Sequence, residues 1–290
     1  MKKRTVLLIL FLAIQALHAG LFEGRYPSAR ATAMSDAYVA VAGDVWSTYY
    51  NPAGLARLGN YQVASAIQRP FNRAFFTNGF FGAGAPLPGK FGSVAVAFET
   101  FGVTYDGNNL SNETTLTLSH GFYLMQDIHS ALSVGYNLKY YHWSLGQSVG
   151  GLDLGSGNAF GLDVGLQASV YQRTFVGVYA YNINAPTMGS RTRHDLPQRL
   201  VVGAAYMPVT GITTSLAFDK TVGFDTQLQG GFEFLPLQWL ALRLGASTQP
   251  NRFSAGIGIN YHGIHLDYSF HTHPVLPETH KFSLMYQFGK

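Results

Sequence analysis

The chain has 290 residues, 47% of them hydrophobic and 14% aromatic, with 33 glycines and no cysteine. Charged residues make up only 12%, against the ~25% usual in a soluble globular domain, so an ordinary charge-coated surface is excluded, as are disulfides, thiol chemistry and a cysteine-borne lipid anchor. The formal charge of +4 includes Lys2, Lys3 and Arg4 at the extreme N-terminus; without them the chain is close to neutral, which leaves no electrostatic footprint for nucleic acid.

Residues 1–19 read as a signal peptide. "MKKR" is a basic start, "TVLLILFLAIQAL" is an apolar run, and "HAG" offers cleavage after Ala19. The alternative is a membrane anchor, but the run falls short of the ~20 residues that a spanning helix needs. Residues 20–59 follow, rich in small side chains and without a clean period-two strand. Near their end stands "YYNPAGLARL", a helix start: Asn51 suits an N-cap, Pro52 suits the first helical position, and Leu55 and Leu58 share a face.

From residue 60 onward the apolar residues alternate. "AFGLDVGLQASV" sets Phe160, Leu162, Val164 and Leu166 against Gly161, Asp163, Gly165 and Gln167. "FSAGIGINY", "GIHLDYSF" and "HKFSLMYQF" repeat the pattern to residue 288. Period two over this many segments predicts strands. A soluble sandwich would expose a charge-rich face, whereas the second face here is mostly Gly, Ser, Asn and Gln, with Asp163, Glu233, Arg243 and Asp267 among them. Together with the export signal, this predicts an all-β fold: a transmembrane antiparallel β-barrel of about fourteen strands over residues 60–290.

The connections alternate in length as well. "PLPG", "YQRT", "PVTG", "LPLQW" and "HG" read as tight turns, and "GVTYDGNNLSN", "SLGQSVGGLDLGSGN", "NAPTMGSRTRHDLP" and "HTHPVLPET" as longer polar loops. Two segments strain the pattern: "TFVGVYAYNI" is apolar on both faces, and His120 falls on the lipid face, where a slip of one residue would swap inside for outside. A barrel of this width is too wide for its own side chains to fill. Residues 20–59 are therefore read as an N-terminal plug with short helical segments; a periplasmic tail or a helix beneath the barrel are the alternatives.

Chemistry-bearing residues are few. His265, Asp267 and Ser269 supply the residue types of a hydrolase triad on one inward face. Neighbours in that row stand ~6.8 Å apart along the strand, too far to bond in sequence. His271, His273 and His280, with Glu278, crowd the last loop and could hold a metal; a polar outer rim explains them equally. Glu233 and Arg243 are a sharper pair, since a turn centred near Gln238 sets them opposite each other inside the lumen. Bracing of the wall or plug is their expected role, and contact of Arg243 with a ligand carboxylate the alternative.

"SARATAMSDAYVAVAGDVWSTYYNPAGLARL" resembles the N-terminal signature of the FadL/PorV superfamily of outer-membrane barrels. "LPQRLVVGAAY", "WLALRLGAST" and "THKFSLMYQFG" resemble its last strands, so the likeness spans nearly the whole mature chain. The resemblance implies a fourteen-stranded barrel closed by an N-terminal hatch, with Asn51, Pro52 and Ala53 in the hatch motif, followed by Gly54. In the fatty-acid transporters, hydrophobic ligands enter the barrel and pass the hatch. In PorV-type proteins the barrel serves protein export by type IX secretion. This chain is shorter than typical fatty-acid transporters and lacks their long outer insertions, which brings the PorV-like members nearer.

The expectation is a non-enzymatic barrel in the outer membrane of a diderm bacterium, with no cofactor and no metal. Its expected surroundings are outer-membrane lipid, and its function is passive binding or passage of hydrophobic small molecules through a plugged lumen. The alternative is an accessory barrel of protein export whose partners are export-system proteins, and a purely structural barrel is the third possibility.

Overall fold

The computed structural model describes residues 21–147, 151–189 and 193–289; the expected signal peptide lies outside them. Strands β1 (Tyr61–Arg69), β2 (Phe76–Pro86), β3 (Ser93–Tyr105), β4 (Asn108–Gln126), β5 (Ser130–Leu145), β6 (Ser156–Val170) and β7 (Thr174–Tyr181) form one half of a wall. After the two-residue strands β8 (Thr187–Met188) and β9 (His194–Asp195), the wall resumes with β10 (Arg199–Tyr206), β11 (Ile212–Thr221), β12 (Gln227–Leu237) and β13 (Leu240–Ser247). It ends with β14 (Arg252–Tyr261), β15 (Ile264–His271) and β16 (Thr279–Phe288). Fourteen antiparallel strands close into a barrel through β1 and β16, from Tyr61 opposite Phe288 to Arg69 opposite His280, while β8 and β9 pair only with each other.

Strand alternation sorts the side chains as the sequence requires. Phe98, Leu118, Leu138, Phe160, Phe218 and Leu266 point outward and are exposed, while Thr117, Asn137, Asp163, Asp219 and Asp267 point inward and are buried. A closed barrel leaves no unpaired edge, so its apolar outer band faces lipid. His120 stays on that outer face: its ring bonds the Phe91 carbonyl (2.8 Å) and the Tyr136 hydroxyl (3.3 Å), and the strand parity does not slip. "TFVGVYAYNI" is apolar on both faces because Phe175 and Tyr179 turn inward against the N-terminal segment.

One expected loop is a strand pair instead. In "GVTYDGNNLSN", β3 runs to Tyr105 and β4 starts at Asn108, leaving Asp106 and Gly107 as a two-residue turn with φ of 50° and 74°. Asp-Gly with positive φ at both positions is the turn that matches the natural twist of a hairpin. Above the lipid band neither face need be apolar, so the alternation that marks a strand lower down is lost. β4, with 19 residues, thus rises well past β7, with eight.

The N-terminal segment lies inside the barrel. It contains two short helices, α1 (Ala29–Ala33) and α2 (Ser47–Tyr50), and a 3₁₀ turn, Pro52–Arg57. Helix α1 packs on β13 to β16 and the 3₁₀ turn on β3 to β6, so the segment bridges opposite walls. Tyr38, Val45 and Trp46 are buried in a core shared with wall residues such as Phe80 and Phe175, and Leu55 is buried as well. The expected helix start at Asn51 is a 3₁₀ turn rather than an α-helix, with Asn51 as its cap.

Candidate functional site

Each residue of the Asn51–Gly54 motif has a distinct contact. The Asn51 Oδ1 accepts from the Ala53 N–H (3.2 Å), which caps the 3₁₀ turn. Its Nδ2 donates to the Val39 carbonyl (2.9 Å) within the segment and to the Leu166 carbonyl (3.0 Å) of the wall. One amide therefore ties turn, segment and barrel together. Pro52 and Ala53 lie against Gly121, Gly135 and Gly165 of three adjacent strands, where a methyl group would collide with Pro52, Ala53 or Asn51. A Cβ on Gly54 would come 2.5 Å from the Ala42 carbonyl oxygen. The same close approach recurs at Gly231 and Gly245, where Met34 and Ser35 touch the wall. Glycine at these points lets two backbones meet.

Glu233 and Arg243 stand directly opposite each other on β12 and β13, with Nε and Oε2 2.6 Å apart. They are part of a longer chain of charges. Arg30, on α1, grips Glu233 with two nitrogens (2.8 and 2.9 Å), and Arg243 also reaches Asp267 Oδ1 at 2.6 Å. Arg30 lies 3.7 Å from Asp44. Three further ion pairs line the lumen: Arg25 with Glu113 (2.6 Å), Lys139 with Asp163 (2.7 Å) and Arg199 with Asp219 (3.2 Å). Lys281 donates to the Tyr26 carbonyl and, at 2.7 Å, to Thr32. In a desolvated interior each charge needs such a partner. Within the segment, burial pushes the Asp36 and Asp44 carboxyls above their ordinary range, with Lys281 and Arg30 respectively pulling them back, and burial raises the Tyr49 hydroxyl to about 12.

The other sequence candidates do not assemble. His265 Nδ1 faces Asn260 Oδ1 (2.7 Å), Asp267 is taken by Arg243, and the Ser269 hydroxyl has no hydrogen-bond partner, so the three form no triad. The loop histidines serve separately. His273 Nδ1 accepts from the Val275 and Leu276 N–H groups, whereas His280 bonds the Tyr268 hydroxyl (2.8 Å) and lies 3.5 Å from Glu278.

No protein-family model and no curated protein matches the chain. Solved structures do. A Pseudomonas aeruginosa FadL homologue superposes with a TM-score of 0.64 at 9% identity, over 93% of this chain and 100% of that one. The P. putida toluene transporter TodX gives 0.60 at 11% identity, over 90% and 98%. A TodX monoaromatic hydrocarbon channel mutant gives 0.56 at 10% identity, over 83% and 93%. The chain has the fold of the FadL-like outer-membrane barrels.

Cavities lie at the two ends of this FadL-like barrel, and residues of the N-terminal segment line both. The end with the long loops, which faces outward in such barrels, holds a cavity of about 1060 Å³. Phe22, Tyr26 and Tyr49 form its floor, and Pro186, Leu196, Phe224 and Pro250 supply apolar sides, with Arg199 and Arg252 among them. At the short-turn end lies a cavity of about 300 Å³, lined by Arg30, Asp44, Trp46, Arg243 and Asp267. Between the two, Tyr26, Tyr49, Tyr50 and Tyr38 meet edge-to-face in succession, with ring centroids 5.1 to 5.9 Å apart.

Sequence reasoning missed Arg25, Arg30, Glu113, Lys139, Arg199, Asp219 and Lys281. The wall residues were recoverable as inward positions of period-two strands. Arg25 and Arg30 had no such signal, because the segment that carries them follows no repeat.

Proposed function

We propose that this outer-membrane barrel binds hydrophobic small molecules in its outer cavity and passes them inward, with residues 20–59 as a hinged or locally rearranging plug in a barrel of residues 60–290. Residues 1–19 are then the export signal. The observation that carries the reading is the large, partly aromatic outer cavity whose floor is the N-terminal segment itself. The fold it shares with a toluene transporter and a FadL homologue supports the same direction. Asn51, Pro52, Ala53 and Gly54 act as the anchor of the plug on β4 to β6. Glu233 and Arg243 act with Arg30 as its second anchor, and His265 and Asp267 as polar lining of the inner cavity.

Native mass spectrometry of the barrel in mild detergent tests this reading. An unrelated barrel prepared identically and the double variant Asn51→Ala/Pro52→Ala serve as controls. A defined hydrophobic ligand on the wild type, lost from the variant, is the expected result. An empty barrel that co-purifies with a protein would overturn it in favour of a PorV-like accessory role in export.

A further inference from the structure

Arg25, Arg30, Lys139, Arg199 and Arg243 each meet a carboxylate oxygen within 3.2 Å. Arg57 does not. It is the last residue of the 3₁₀ turn, at the short-turn end of the barrel, and among the described residues no carboxylate comes within ion-pair distance of it. The side chain is nevertheless held in place. Its guanidinium lies against Gly43, where a Cβ would come 2.9 Å from Cζ, and over the Phe175 ring, with Cζ 4.7 Å from the centroid. Nη1 donates to the Val41 carbonyl at 3.3 Å, and Nε and Nη2 have no acceptor. These last two form one edge of the guanidinium, the fork that grips a carboxylate with two parallel bonds. The group cannot shed its charge, so an anion or water must serve that edge.

Arg57 and Met207 stand between two cavities at this end of the barrel and line both. One is the cavity of Arg30, Asp44 and Asp267 described above. The other, of about 290 Å³, lies against β4 to β7. Tyr123, Gln126, Ser130, Ser169 and Gln172 line it, and none of their side chains makes a hydrogen bond within the described protein. Other polar side chains there are already engaged. Ser133 donates to the Gln167 carbonyl (3.3 Å), and Gln167 Nε2 donates to the Ala40 and Ala42 carbonyls (2.8 and 2.9 Å). A cavity of this size is at the lower end of small-molecule sites. Its unused hydroxyls and amides would be left unpaired against an alkyl chain, so a polar body fits them better. One guanidinium balances one negative charge, and Asp127 on the same lining opposes a second, which disfavours phosphate.

We propose that Arg57 anchors a small, singly charged carboxylate with a polar body at the short-turn end of the barrel. The carboxylate takes the Nε and Nη2 edge, and the body fills the cavity against β4 to β7. The short-turn end faces the periplasm in such barrels, so the site is entered from that side. It does not depend on passage of hydrophobic molecules through the lumen, and failure of either reading leaves the other standing.

Fluorine NMR titration of the folded barrel in detergent with N-trifluoroacetylglycine tests it, with the uncharged methyl amide of the probe as control. Saturable binding of the acid, and none of the amide, is expected for the wild type. Arg57→Gln removes the cation, and Gly43→Ala keeps it but pushes it off its support. Both are expected to weaken binding at least about tenfold, since hydrogen bonds to a charged group are the strong ones. Arg252→Gln removes a guanidinium at the opposite end of the lumen, also without an ion pair among the described residues, and is expected to change nothing. Arg57→Lys, which keeps the charge and loses the fork, replaces Arg57→Gln if that variant does not fold, and a loss of affinity is again expected. Equal binding by the wild type and the Arg57 variant overturns the proposal, as does loss of binding in Arg252→Gln alone. Inorganic phosphate that displaces the probe at a lower concentration than N-acetylglycine does would overturn the carboxylate assignment.

Discussion

At the residue scale, the interior is governed by close approach and by paired charge. Where the segment's backbone comes closest to the wall, at Met34, Ser35, Pro52 and Ala53, the wall residue is glycine, and Glu113, Asp163, Asp219, Glu233 and Asp267 each meet a cation. Both rules give numbers. Arg243→Met leaves Glu233 with Arg30 alone and strips Asp267 of its ion-pair partner, and breaking a buried pair by removing one member costs about 3–5 kcal/mol. Equilibrium urea unfolding in detergent is expected to show that loss; a cost under about 1 kcal/mol would mean that water reaches the pair. Gly165→Ala drives a methyl into Asn51 and Pro52, an overpacking expected to cost about 1–3 kcal/mol by the same assay. Gly59→Ala, where a Cβ meets nothing within 4 Å, is the matched control and should change little. The opposed pair Glu233 and Arg243 was legible in the sequence because two alternating strands and a short turn fix who faces whom. Their third partner, Arg30, was not, since it arrives across the lumen from 203 positions away in the chain.

At the scale of elements, legibility followed the environment. Strands inside the lipid band announce themselves because one face must be apolar and the other small or polar. The upper parts of β3 and β4 lie beyond that constraint, so they read as a loop even though the Asp106-Gly107 turn carried its own hairpin signal. The N-terminal segment shows the opposite case. Its irregular backbone is stabilised by contacts to the wall rather than by its own repeat, and only the Asn51-Pro52 start stood out. Its dependence on those contacts is testable. Asn51→Ala removes the cap and leaves the Val39 and Leu166 carbonyls without that donor, at about 1–3 kcal/mol for each buried group orphaned. Limited proteolysis is expected to cut residues 20–59 faster in this variant while the barrel keeps its heat-modifiable mobility on gels. Equal protection of the segment in both proteins would show that the motif does not anchor it.

At the scale of the whole molecule, the barrel and the segment solve each other's problem. Fourteen strands enclose more space than inward side chains fill, and a chain of small residues without a repeat cannot fold alone. Placed together, they give a lipid-facing wall, a core assembled from both, and cavities that do not merge. The absence of cysteine makes one measurement clean. Ser35 in the segment and Ser254 on β14 have their hydroxyl oxygens 3.0 Å apart, so Ser35→Cys with Ser254→Cys places two thiols for the only disulfide in the protein. Toluene uptake by proteoliposomes carrying this pair is then compared in oxidised and reduced form. If the segment is a plug that must move, oxidation abolishes uptake and reduction restores it to the wild-type rate. Uptake at the wild-type rate in the oxidised form would contradict a moving plug at this contact and place the path elsewhere.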